Sequence, residues 1–341
     1  MPEPFKYTKE LIKLFTASEN ILLISHINPD GDAIGSQLAL WHYLKEKGKQ
    51  VTMMTPNYLQ EFLKWMQGSD QINIFIRNRS KCMTIINSAD LIVMLDFNHS
   101  NRLGEAENAV VSSNAKKVII DHHTDPSDFA DLLISDTSVC STAEIVYRIV
   151  TYMNVSPYRN SKFAEAVYVG IITDTGKFDH GTYSGDTFRI VADLLDTGID
   201  RSLINDLIYN NFTAERMKLM GYALHEKMVI LPEYKTAYIA LSVDELKSFR
   251  HTKGDTEGFV NLPLSINGIV FSVLFIEKEG FVKLSLRSKG NFPSNEFASR
   301  FFNGGGHVNA SGGEFYDSLE NTISYFLKIL GENYAAMNNS V

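Results

Sequence analysis

Short unbroken apolar runs alternate with stretches whose apolar residues recur every three or four positions. The runs are Ile21–Ile24, Val51–Thr55, Leu91–Leu95, Val118–Ile120 and Leu132–Asp136. Each has the length of a buried strand. Between and after them, Tyr7–Phe15, the stretch from Ala33 (Ile34, Leu38, Trp41), Thr142–Met153 (Ile145, Val146, Ile149, Val150) and Phe163–Asp174 carry helical spacing. Tyr58–Met66 reads as a helix or a lid-like segment. Strands alternating with helices predict an α/β fold, a mostly parallel sheet with helices on both faces. Thr187–Leu224 is helical in period, with breaks at Gly198 and Asn211-Phe212, and reads as an ordered connector. Beyond it the texture changes. Met228–Leu231, Thr236–Leu241, Ile269–Ile276 and Phe281–Leu286 predict strands, the last two joined by a Glu279-Gly280 turn. Asn295–Phe302 and Ser318–Leu330 predict helices, giving a smaller α+β domain. The expected division is 1–188, a helical connector 189–226, and 227–341.

A chain of 341 residues suits two domains, and a 44% hydrophobic share is enough for sizeable cores. The two cysteines, Cys82 and Cys140, lie far apart. They argue against a disulfide framework or a thiolate zinc site and fit a reducing compartment. No apolar run approaches the roughly 20 residues of a membrane span, and the N-terminal stretch has no signal-peptide core. A cytoplasmic protein is expected. The net charge of −8 comes without an obvious basic face, which argues against tracking long nucleic acid. A small anionic substrate stays open, because bound cations reverse the field of an aspartate cluster.

The candidate chemistry sits where the predicted strands end. Ile21–Ile24 runs into His26, and Pro29 and Gly31 turn the chain past Asp30 and Asp32. One imidazole and two carboxylates within seven positions suit a divalent cation. Leu91–Leu95 ends in Asp96, Val118–Ile120 in Asp121-His122-His123, and the Phe163–Asp174 helix in Asp174. Acids after several strands converge on one sheet edge, where ligands of open α/β sheets bind. In the second domain, Asn303-Gly304-Gly305-Gly306-His307 would let backbone N–H groups approach an anion, aided by any helix start that follows. Arg287 and Lys289 stand close by in sequence. Between Glu277 and His307 there are five Lys/Arg and three acids, a locally basic wall.

These motifs, His26-Ile27-Asn28-Pro29-Asp30-Gly31-Asp32-Ala33, Asp96, Asp121-His122-His123, Thr173-Asp174-Thr175 and the glycine run ending in His307, resemble the DHH/DHHA1 phosphoesterase family in order and spacing over nearly the whole chain. Within the family, the length resembles the short bacterial members that act as oligoribonucleases and 3′-phosphoadenosine 5′-phosphate phosphatases. One departure is Asn303, where the family usually has a further glycine; Asn tolerates left-handed backbone angles.

The resemblance implies two Mn²⁺ ions, with Mg²⁺ or Co²⁺ as alternatives. By motif position, His26, Asp30 and Asp96 would hold one; Asp32, Asp96, His122 and Asp174 the other. Two cations about 3.5–4 Å apart can activate a hydroxide for in-line attack on phosphorus. Asp121 would orient a ligand, His123 would face the phosphate as stabiliser or proton donor, and Arg102 would contact it. Arg287, Ser288, Gly304, Gly305, Gly306 and His307 would bind the substrate's far phosphate or sugar. His99, His180 and His225 are read as polar residues without a catalytic role. The implied substrates are short single-stranded RNA or DNA oligonucleotides and the nucleotide bisphosphate, not long duplexes or membranes. The apolar connector could support a homodimer. Two alternatives stand: an exopolyphosphatase or linear or cyclic dinucleotide phosphodiesterase with the same metal half, and an inactive nucleotide-binding module.

Overall fold

Every residue of β1 (Asn20–Ser25) after Asn20 is buried, as an apolar run in the middle of a covered parallel sheet must be. The computed structural model describes residues 8–154, 158–179, 181–252 and 254–338. The chain divides into two units, Met1–Asn211 and Phe212–Val341. The division falls inside the stretch read as a connector.

The first unit begins with α1 (Thr8–Ala17), β1, α2 (Gly31–Glu46), β2 (Gln50–Thr55) and β3 (Asn73–Ile74). It continues through α3 (Arg79–Ser88), β4 (Leu91–Leu95), α4 (Glu107–Val111), β5 (Lys116–Asp121) and β6 (Leu132–Ser135). Four helices close it: α5 (Thr142–Met153), α6 (Ser161–Asp174), α7 (Gly185–Leu195) and α8 (Arg201–Tyr209). The strands pair in the order β3-β2-β1-β4-β5-β6, all parallel. Side chains alternate across the sheet. Ile21 and Leu23 of β1 join Leu91, Val93 and Leu95 of β4 in one core. Leu22, Ile24, Ile92 and Met94 point into another on the opposite face. The strand order reverses between β1 and β4, so the carboxyl ends of these neighbours flank a topological switch point.

Two helices on one face cross at glycines. A Cβ on Gly35 of α2 would lie 2.5 Å from the Ala166 carbonyl oxygen, and one on Gly170 of α6 would lie 2.4 Å from Ala143 Cβ and 2.8 Å from Asp32 Oδ1. The contact therefore admits no larger residue without a shift, and it fixes Asp32 on α2 relative to Asp174 at the end of α6.

The second unit contains α9 (Ala214–His225), β7 (Met228–Leu231), β8 (Thr236–Leu241), α10 (Val243–Ser248), β9 (Phe271–Lys278) and β10 (Phe281–Ser288). After these come α11 (Ser294–Phe301), β11 (Gly305–His307), β12 (Ala310–Phe315) and α12 (Leu319–Asn338). Its mixed sheet runs β11-β12-β10-β9-β8-β7, with β8–β9 the parallel pair. Phe271, Phe275, Phe297, Phe302 and Phe326 fill the core on one face.

Three local expectations change. Within 58–66 the regular element is a single 3₁₀ turn, Glu61–Leu63. The α3 and α4 helices were not anticipated. The glycine run is the first strand of a hairpin, β11–β12, and not a loop leading into a helix. Two of its glycines are packing residues: a Cβ on Gly304 would lie 2.0 Å from the Gly312 carbonyl oxygen, and one on Gly306 2.6 Å from that of Ala310. Asn303 does take the left-handed conformation, at φ 46°.

Candidate metal centre

β1 ends at Ser25, and His26 follows with 3% of its surface exposed. Its Nδ1 lies 2.7 Å from the Ile27 carbonyl oxygen. That acceptor fixes the proton on Nδ1 and leaves the Nε2 lone pair free. Asp30 then caps α2: its Oδ1 accepts from the backbone N–H groups of Asp32 and Ala33, both at 3.0 Å. Its Oδ2 lies 4.0 Å from His26 Nε2. One carboxylate oxygen thus serves the helix and the other faces the imidazole.

Asp96 follows β4 with 2% exposure and a left-handed φ of 67°. For a residue with a side chain this costs about 1–2 kcal/mol, and such strain gathers at functional positions. Asp96 Oδ2 is 3.5 Å from His26 Nε2, and Oδ1 is 3.7 Å from both His122 Nε2 and His123 Nδ1. His122 Nε2 is also 3.5 Å from Asp174 Oδ2 and 3.8 Å from Asp32 Oδ2. The donor atoms form three groups, His26–Asp30–Asp96, Asp32–His122–Asp174 and Asp96–His122–His123, each spanning at most 4.8 Å. Residues separated by up to 148 positions in the chain meet here because the ends of β1, β4 and β5 adjoin and α2 crosses α6.

The electrostatics are those of an acid cluster wanting positive charge. Burial, then the charge of Asp30, pushes Asp32 up to about 7. Burial, then Asp32, pushes Asp174 up to about 9. Asp96 is held well above the usual carboxylate range by burial and the surrounding aspartates. Burial, then its neighbour His123, lowers His122 to about 4, so its imidazole is neutral at pH 7. His26 is also lowered, by burial foremost. Neutral imidazoles with free Nε2 atoms, among buried carboxylates that resist ionising together, are the donor set of divalent cations. The residues fit a divalent metal.

Asp121 is fully buried, and its Oδ1 is 2.7 Å from His123 Nδ1. Burial opposes the charged ring of His123, yet the Asp121 hydrogen bond and charge raise its affinity for a proton overall. The exposed Arg102 side chain adds a positive field at both His26 and His123. Two contributors were missed from the sequence. Thr142 and Ala143 donate backbone N–H bonds to Asp32 Oδ2 and Oδ1 at 2.6 and 2.9 Å, and the Thr142 hydroxyl donates to Asp96 Oδ1 at 3.0 Å. The only hint was the Ser141-Thr142-Ala143-Glu144 helix-start pattern. His99 is exposed, and His225 is exposed beside Glu226. His180 and the side chain of His307 lie outside the described residues.

In the second unit, Arg287 is half-buried on β10 and its Nη1 donates to the Leu286 carbonyl oxygen at 2.9 Å. Burial weakens its hold on its proton, and Glu257 partly restores it. Ser288 is buried, with its hydroxyl donating to the Phe292 carbonyl oxygen at 2.7 Å, a contact internal to the fold. Of the glycines, Gly304 and Gly306 are demanded by the hairpin, whereas a Cβ on Gly305 would meet nothing within 4 Å.

The sequence profile described as "DHH family, N-terminal domain" matches residues 20–171, and that of the "DHHA1 domain" matches residues 235–335. The chain is 28% identical over 308 residues to the bifunctional oligoribonuclease and PAP phosphatase NrnA of Bacillus subtilis, covering 90% of this chain and 93% of that one. The crystal structure of an exopolyphosphatase-related protein from Bacteroides fragilis superposes with a TM-score of 0.95 at 39% identity, covering 98% of both chains. RecJ of Thermus thermophilus, in complex with Mn²⁺, shares the fold at a TM-score of 0.57 and 14% identity, covering 98% of this chain and 55% of that one.

Proposed function

This chain belongs to the DHH/DHHA1 family of phosphoesterases, and we propose that it hydrolyses short oligoribonucleotides to nucleoside monophosphates and 3′-phosphoadenosine 5′-phosphate to AMP. The observation that carries the reading is Asp96, buried between two imidazole–carboxylate groups with one oxygen toward each. His26, Asp30 and Asp96 would hold one divalent cation and Asp32, Asp96, His122 and Asp174 a second, with Mn²⁺ the preferred ion. Bound there, the ions supply a nucleophilic hydroxide at neutral pH and neutralise charge on the phosphoryl group.

The chain's own residues complete the site. The backbone N–H groups of Thr142 and Ala143 keep Asp32 aimed at His122. Asp121 holds the His123 ring, so that His123 can face the substrate phosphate and give a proton to the leaving oxygen. Arg102 adds positive charge toward the same phosphate. Arg287 would grip a phosphate through its planar guanidinium. The NrnA relative, matched along nearly its full length, supports this choice of substrates.

A second reading, hydrolysis of inorganic polyphosphate, is favoured by one observation, the likeness to the Bacteroides fragilis exopolyphosphatase-related protein. Purified protein with Mn²⁺ should be assayed on a dinucleotide, on 3′-phosphoadenosine 5′-phosphate and on tripolyphosphate under matched conditions. Turnover of the two nucleotides, abolished in Asp96→Asn, is expected. Turnover of tripolyphosphate alone would replace the first reading with the second. No turnover of any of them by folded, Mn²⁺-loaded protein would end both.

A further inference from the structure

The first turn of α5 reaches both acid groups of the centre at once. Thr142 and Ala143 donate their backbone N–H groups to the two oxygens of Asp32, and Thr142 Oγ1 donates to Asp96 Oδ1 at 3.0 Å. The turn is itself fixed from below. Ser141 caps the helix by accepting from the Glu144 N–H at 3.1 Å. The fully buried Glu144 accepts from Thr187 Oγ1 at 3.0 Å and from Cys140 Sγ at 3.0 Å through Oε2, and from Arg148 Nε at 3.0 Å through Oε1. Thr142 is also fully buried, so its hydroxyl serves another protein group rather than solvent.

We propose that Thr142 is a positioning residue for Asp96, setting the rotation of the carboxylate that the two cation sites share. This rests on the reading of the cluster as a two-cation centre. A shared carboxylate must present one oxygen to each side. Asp96 leaves the sheet on a left-handed backbone angle, and its Oδ1 already lies near two imidazoles. The Thr142 hydroxyl holds Oδ1 on that side and leaves Oδ2 toward His26 at 3.5 Å. Groups that orient a metal ligand typically carry about 10–100-fold of the metal affinity. Threonine suits the task because its branched Cβ restricts the hydroxyl to few rotamers.

The test compares Thr142→Val, which replaces the hydroxyl by a methyl group of similar size, with Thr142→Ser, which keeps it. Mn²⁺ binding is measured by calorimetry and by electron paramagnetic resonance, beside kcat and KM on a dinucleotide. The valine variant should bind at least one Mn²⁺ about 10–100-fold more weakly and lose kcat with little change in KM. Its melting temperature in chelator should stay near wild type, and the serine variant should bind Mn²⁺ within a few-fold of wild type. Should the valine chain not fold, Thr142→Ala carries the same comparison. Two Mn²⁺ bound with wild-type affinity by the variant lacking the hydroxyl would overturn the proposal alone. So would a serine variant as impaired as the valine one. A wild-type chain that binds no Mn²⁺ would overturn the metal-centre reading and this proposal with it.

Discussion

Three histidines of the centre differ in their surroundings because each has a different second partner. His26 gives its Nδ1 proton to a backbone carbonyl and His122 is kept neutral by burial and by His123, so both offer a lone pair. His123 instead faces the buried Asp121 carboxylate through Nδ1, which favours the protonated ring. A ring held this way should act on the substrate more than on the cations. His123→Gln is therefore expected to lower kcat by about 10²–10⁴-fold while Mn²⁺ affinity, followed by calorimetry, stays within a few-fold of wild type. An equal loss of Mn²⁺ binding would place His123 among the ligands instead, a role its 3.7 Å approach to Asp96 Oδ1 allows. These residues were legible in the sequence because each follows a strand or ends a helix. The Thr142 hydroxyl and the Ala143 N–H were not, since their value depends on partners 46 to 111 positions away in the chain.

At the scale of elements, the centre is held by the crossing of α2 and α6. Gly170→Ala would put a methyl group against Ala143 Cβ and Asp32 Oδ1. It should destabilise the protein by about 1–3 kcal/mol through overpacking and weaken Mn²⁺ binding as well, read by denaturant melts and calorimetry. Gly221, inside α9 with nothing near its missing side chain, is the contrast: Gly221→Ala should be neutral or stabilise by up to about 1 kcal/mol. Strands β1, β2 and β4 to β10 announce themselves because each is an unbroken or alternating apolar run. α3 does not, since only Cys82 and Ile86 of its ten residues are buried, leaving no apolar stripe to read. The β11–β12 hairpin escaped for a related reason. Gly304 and Gly306 have no side chains to alternate, and their glycine requirement comes from the backbone of the paired strand.

For the whole molecule, the metal-free centre is a site of stored repulsion. Asp32 and Asp174 bind protons more tightly in the fold than the usual value of about 4 in an unfolded chain. A raised carboxylate stabilises the folded state at low pH and ceases to do so as pH climbs toward its folded value. In chelator, stability should therefore fall as pH rises from about 4 to about 9. With saturating Mn²⁺ the fall should shrink or reverse, because the ions bind the folded form and prefer ionised ligands. Melting curves across that range, with and without Mn²⁺, check this. Among the described residues no helix is long and apolar enough to cross a membrane. Anomalous X-ray scattering from crystals soaked in Mn²⁺ tests the central claim most directly. Two peaks are predicted in each chain, one among His26, Asp30 and Asp96 and the other among Asp32, His122 and Asp174, with Asp96 contacting both. A single peak, or none within reach of Asp96, would contradict the account.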